Sequence, residues 1–63
     1  MKTTLIIPAW NAEKTISECV LSAIKAEESP DEIIVVDDFS SDKTSFIVNK
    51  LKKDFPNIKL LRL

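Results

Sequence analysis

Glycine, histidine and tyrosine are absent from all 63 residues, and cysteine and tryptophan occur once each. Without glycine there can be neither a G-x-G-x-x-G dinucleotide loop nor a Walker A phosphate loop, since both need glycine where the backbone turns tightly against the ligand. Ordinary NAD binding and P-loop chemistry are therefore excluded. With no histidine and only Cys19, a thiolate or imidazole metal site and an intrachain disulfide are equally excluded, and a reducing, cytoplasmic setting is expected. Strong charge of either sign is missing too. A net charge of −1 and a pI near 5.2 leave no broad basic surface for phosphate backbones, so no nucleic-acid partner is expected. Long apolar runs are also lacking. Thr4-Leu5-Ile6-Ile7 and Ile33-Ile34-Val35-Val36 fall far short of the ~20 residues of a membrane-spanning helix, and Pro8 cuts off the first before it could serve as a signal peptide. No membrane segment is expected in this chain, and any membrane association would come from a longer parent.

What remains is a composition of 44% hydrophobic and 30% charged residues, that of a soluble globular domain. One small domain is the most that residues 1–63 can form. Two apolar runs rich in β-branched residues, 3–7 and 32–36, read as strands buried on both faces, and 58–63 is a third candidate. Between the first two, Ile16, Cys19, Val20, Ala23 and Ile24 recur at helical spacing. They predict an amphipathic helix over residues 12–27, with Asn11 as N-cap and Glu13 as a first-turn acid. Thr44, Ile47, Val48, Leu51 and Phe55 predict a second helix over 42–54, with Lys50-Leu51-Lys52-Lys53 as its solvated basic end. The order β-α-β-α-β with right-handed crossovers defines an α/β, Rossmann-like half with three parallel strands in the order 3-2-1.

In open α/β sheets ligands bind beyond the carboxyl ends of the strands. Here those ends carry Pro8-Ala9-Trp10-Asn11 and Asp37-Asp38-Phe39-Ser40-Ser41. An aromatic ring, two carboxylates and two helix N-termini around one crevice suit a nucleotide. A carboxylate only accepts hydrogen bonds, so at a base edge it favours uracil, whose N3 carries a hydrogen, over cytosine, whose N3 is an acceptor. Asp38 is the choice for that contact, and Trp10 offers a surface against which a base can stack.

Each of these residues also has a purely structural explanation. Asp38, followed by Ser-Ser-Asp and a helix, suits a helix cap; Trp10 could close the rim of a small core; Pro8 could simply end a strand. Asp37 leans towards a structural role. Cys19, on the apolar stripe and without an activating base, reads as a small core residue.

The segments Thr4 to Glu13 (TLIIPAWNAE), Ser17 to Ile24 (SECVLSAI) and Asp31 to Thr44 (DEIIVVDDFSSDKT) together resemble the start of family 2 glycosyltransferases of the GT-A fold. The likeness covers nearly the whole chain. It rests on a Pro-x-aromatic-Asn strand end combined with a Val-Asp-Asp-x-Ser-x-Asp segment. By matching positions, it implies that Pro8, Ala9, Trp10 and Asp38 hold the base and ribose of a nucleotide-diphosphate sugar, often UDP-linked, with Glu13 at a frequently acidic position nearby. It further implies Mg²⁺ or Mn²⁺ held by a later Asp-x-Asp motif and a general base further downstream, so neither catalytic nor metal residues are expected within this chain.

Three features depart from the family pattern: Trp10 replaces the usual tyrosine, and Phe39 and Lys43 replace common glycines, which disfavours positive φ in that loop. The chain is thus expected to hold the base-binding part of a glycosyltransferase domain and to be inactive alone. It is also expected to self-associate through the free edge of its first strand. The alternative from another class is a non-catalytic α/β module that binds nucleotides or works through protein contacts. A receiver-like phosphoacceptor domain, suggested by Asp37-Asp38 after a strand, lacks the further strands it would need.

Overall fold

Glu32–Asp37, the run most densely β-branched, forms the central strand of a three-stranded parallel sheet. The computed structural model describes residues 2–63 as β1 (Thr4–Ala9), α1 (Ile16–Lys25), β2 (Glu32–Asp37), α2 (Thr44–Asp54) and β3 (Ile58–Arg62). The strands stand in the order β1-β2-β3. β1 pairs with β2 from Thr4↔Glu32 to Ala9↔Asp37, and β2 with β3 from Ile33↔Ile58 to Asp37↔Arg62.

The first pairing is pinned where it begins. The Thr3 N–H donates to Asp31 Oδ2 at 2.8 Å, the Asp31 N–H donates to Thr3 Oγ1 at 3.1 Å, and the Glu32 N–H donates to the Thr3 carbonyl at 3.1 Å. From that last bond and the matching one between the Asp38 N–H and the Ala9 carbonyl, alternation turns Leu5, Ile7 and Ala9 towards β2 and the polar groups of Thr4, Ile6 and Pro8 outward. Pro8 therefore does not end β1: its missing N–H falls on the open edge, where no ladder bond is lost.

Both helices cover the same face of the sheet, as two successive right-handed crossovers in one direction require. Ile16 and Val20 of α1 and Val48 of α2 join Ala9, Ile33, Val35 and Ile58 in one buried cluster. On the other face Ile6, Pro8 and Leu61 are exposed, and Ile34 and Val36 are only half-buried. The expectation of strands buried on both faces thus fails, because the chain supplies helices for one side alone. The uncovered face does carry a charged pair, Lys59 Nζ to Glu32 Oε2 at 2.6 Å. This lysine is the leading reason that the Glu32 carboxyl lies below its ordinary range.

Element ends also differ from expectation. α1 begins at Ile16 rather than Ala12, because residues 12–15 form a tight turn in which the Thr15 and Ile16 N–H groups both donate to the Ala12 carbonyl. Glu18, not Glu13, is then the first-turn acid, and Asn11 is not the cap. α2 begins at Thr44. Cys19 is exposed rather than packed, since Ile16, Val20, Ala23 and Ile24 already fill the stripe that meets the sheet.

These burial differences give a direct stability test. Ile33→Ala, at a fully buried central position, should cost about 2–5 kcal/mol, comparable with the whole stability of a domain this small. Ile6→Ala on the uncovered face should stay within about 0.5 kcal/mol. Urea denaturation followed by circular dichroism checks both, and equal losses would contradict the one-sided core.

Candidate functional site

The register carries the site. Ala9 and Asp37 are the last paired residues of β1 and β2, and the Asp38 N–H reaches back to the Ala9 carbonyl at 2.9 Å. Trp10 and Asp38 therefore leave the sheet side by side, on strands about 4.8 Å apart. Trp10 is 66% exposed, which rules out the closing of a core rim as its role. Asp38 is exposed as well, whereas Asp37 is 1% exposed, as strand alternation requires of neighbours.

The two carboxylates have different surroundings. Asp37 Oδ1 accepts the Ser40 N–H at 3.1 Å and so closes a short turn, while Oδ2 has no hydrogen-bond partner among the described residues and lies 4.0 Å from Arg62 Nε. Inside that turn Phe39 has φ 60°, a left-handed conformation costly for a large side chain, and its ring stands 74% exposed. The disfavour expected for positive φ at this non-glycine position is overcome by the hydrogen bonds on either side. Asp38 does not cap α2. The N-cap position is Lys43, which makes no side-chain cap bond, and Asp42 just before it meets the first residue of the helix, its Oδ1 accepting the Thr44 N–H at 3.0 Å and the Thr44 hydroxyl at 2.5 Å.

A set of bonds laces the loop after β1 to the loop after β2. The Asn11 N–H donates to Ser40 Oγ at 2.8 Å, and Asn11 Oδ1 accepts the Ser41 N–H at 2.8 Å and the Ser41 hydroxyl at 3.3 Å. The Ala12 N–H donates to Thr44 Oγ1 at 2.8 Å, and the Glu13 N–H to Asp42 Oδ2 at 3.2 Å. Of the residues singled out from sequence, Pro8, Ala9, Trp10 and Asp38 thus meet at one edge. The Ala9 side chain is turned into the core, and half-buried Glu13 stands further along, beside Asp42. Sequence reasoning missed Asn11, Ser40 and Thr44 as the residues that join the loops; an asparagine just after a strand, free to take positive φ, is the signal that could have found the first.

Chemically this edge is an open shelf with an aromatic surface and a solvent-facing acceptor. Depressions lie elsewhere, along α1 beside Lys14, Glu18 and Lys25, and between the helices beside Ser17, Phe46 and Leu51. Asp37 and Asp38 face opposite ways and cannot ligate one ion together. Among the described residues no group of three or more histidine, cysteine or acidic side chains is placed to hold a metal.

The chain is a parallel α/β unit in which the exposed Trp10 and Asp38 follow the carboxyl ends of the first two strands. The profile of glycosyl transferase family 2 matches residues 4–63, and the chain belongs to that family. It is 40% identical over 60 residues to a poly(ribitol-phosphate) beta-glucosyltransferase of Bacillus spizizenii, covering 92% of this chain and 10% of that protein. It is 43% identical over 58 residues to WfgD of Escherichia coli, a UDP-Glc:alpha-D-GlcNAc-diphosphoundecaprenol beta-1,3-glucosyltransferase, covering 92% and 22%. The crystal structure of Staphylococcus aureus TarS 1-349 in complex with UDP superposes with a TM-score of 0.78 at 38% identity, over 100% of this chain and 19% of that one. The chain therefore spans between 10% and 22% of the length of these relatives.

The charge of Asp42 sets a pH limit on the laced loops. Partial burial works to raise its pKa, but the Thr44 hydroxyl and N–H and the Glu13 N–H outweigh that and hold it below the ordinary aspartate value of 3.8. A lowered folded-state pKa contributes stability in full above 3.8, and that stability is lost as pH falls through the lowered value. The amide resonances of Glu13 and Thr44 should accordingly share one titration step whose midpoint lies below 3.8. An NMR pH titration checks this, and a common midpoint above 3.8 would contradict it.

Proposed function

We propose that the Trp10–Asp38 shelf holds the uracil base of a UDP-linked sugar, and that the protein it belongs to transfers that sugar to an acceptor hydroxyl. The observation that carries this reading is the pair of exposed, adjacent side chains at the end of β1 and β2, with Asp37 withdrawn into the core. Trp10 supplies a stacking surface, and Asp38 an unoccupied acceptor for the uracil N3 hydrogen. Pro8 and the Ala9 backbone form the floor beside the base, and Glu13 lies near the nucleotide. The UDP in the crystal of TarS supports the choice of nucleotide. A divalent Mg²⁺ or Mn²⁺ would neutralise the diphosphate when bound, with ligands from outside this chain, since the Asp37-Asp38 pair does not fit it. The chain alone is proposed to bind donor without turning it over.

Asp38→Asn keeps size and shape but can present a donor where an acceptor is needed. A charged hydrogen bond of this kind is worth about 1.5–3 kcal/mol, so UDP affinity should fall roughly ten-fold or more while CDP affinity changes little. Trp10→Ala should weaken UDP and CDP alike. Calorimetric titration of both variants with UDP, CDP and NAD tests the reading. If Asp38→Asn bound UDP as tightly as the unsubstituted chain, or lost UDP and CDP in equal proportion, the base-reading role of Asp38 would be refuted.

The outward edge of β1, with the ladder groups of Thr4 and Ile6 unpaired and an apolar face beside them, is proposed to drive self-association of the isolated chain. Sedimentation velocity should show mass rising with concentration, and Ile6→Lys, a charge at that edge, should suppress the rise. A stable monomer at high concentration, unaltered by the substitution, would oppose this.

A further inference from the structure

Asn11 joins two features found together nowhere else among the described residues. It is one of two non-glycine residues with positive φ, at 47°, and its side chain bonds across to the opposite loop. The left-handed turn comes immediately after Trp10, so it fixes where the chain leaves the shelf. It also aims the Asn11 N–H at Ser40 Oγ and the next two N–H groups at Thr44 Oγ1 and Asp42 Oδ2. Oδ1 takes the Ser41 N–H and hydroxyl. Ser40 and Ser41 lie two and three residues beyond Asp38, and the Ser40 N–H is already held by buried Asp37. One asparagine thus ties the residue after the stacking ring to the loop bearing the carboxylate.

We infer that Asn11 is a positioning residue for nucleotide selection: the strand register makes Trp10 and Asp38 neighbours, and Asn11 fixes the two loops that leave from them, so that a pyrimidine stacked on the ring presents its edge to the carboxylate. The inference rests on the nucleotide reading above and deepens it. Asn11 touches no base itself. Its effect travels through Ser40 and Ser41 to Asp38, and an aspartate at position 11 would keep the acceptor oxygen and tolerate the left-handed backbone almost as well.

Three substitutions separate its tasks. Asn11→Gly keeps the backbone conformation and removes the side-chain acceptor, Asn11→Asp keeps both, and Asn11→Ala removes both. The ¹⁵N-labelled 63-residue chain is titrated with UDP and with CDP, following the Trp10 indole N–H, and melting is measured alongside. The unsubstituted chain should prefer UDP by roughly ten-fold, as one charged hydrogen bond allows. In Asn11→Gly that preference should fall towards unity while both nucleotides still shift the indole, and Asn11→Asp should restore most of it. A folded Asn11→Gly chain with its full UDP preference would overturn the inference. So would losses that follow the melting temperature and are equal for UDP and CDP, since that pattern marks a merely structural role. Lack of UDP preference in the unsubstituted chain would instead overturn the nucleotide reading itself, and this inference with it.

Discussion

The parallel pairing of β1 with β2 is the constraint on which everything else depends. Its register, Ala9 against Asp37 at the last step, makes Trp10 and Asp38 neighbours and gives them the same parity. A slip of one residue would exchange the environments of Asp37 and Asp38, bringing the wrong carboxylate to solvent and an uncompensated charge into the core. The chain holds this register at both ends: the Thr3–Asp31 exchange pins where it starts, and the Asn11–Ser41 bond pins the loops where it finishes. Between them the apolar residues on the helix-facing side admit only one face to α1 and α2.

Between the first two strands and the helices that follow them, the chain turns tightly at two points without glycine. Asn11 and Phe39 take the left-handed conformation instead, at a cost of roughly 1 kcal/mol or more for a residue with a Cβ. Neighbouring hydrogen bonds offset that cost. Ser40 donates its N–H to Asp37 and accepts the Asn11 N–H through its hydroxyl, so one residue steadies both turns. A glycine loop would reach these dihedral angles freely and lose more entropy on ordering. The asparagine and phenylalanine loop gives up that freedom and gains side-chain tethers.

Much of this was legible in the sequence, for reasons that differ by element. The helix stripes through Val20 and Val48 and the β-branched run through Ile33 and Val35 carry strong periodicity, and they gave the element order and most of the core. The structural lean read for Asp37 agrees with its burial, and alternation along β2 turns Asp38 to the other side. Less legible were features set by tertiary bonds. Pro8 continues β1 because its nitrogen faces an open edge, and Asn11 is not the helix cap because α1 begins only at Ile16, after the turn over 12–15, while its side chain bonds Ser41 across the loops. Cys19 is exposed because four other residues fill its stripe. No window of local sequence contains Thr44 or Asp42 as partners of Ala12 and Glu13, some thirty residues apart.

We propose that a uracil base sits between Trp10 and Asp38. Intermolecular nuclear Overhauser measurements on the labelled chain with excess UDP test it most directly. Cross-peaks should link the uracil H5 and H6 protons to the Trp10 ring, with shifts of the Asp38 and Phe39 amides and none along the outer surface of α1. Cross-peaks to the Lys14, Glu18 and Lys25 depression on α1 instead, or amide shifts produced equally by inorganic diphosphate without a base, would contradict the account.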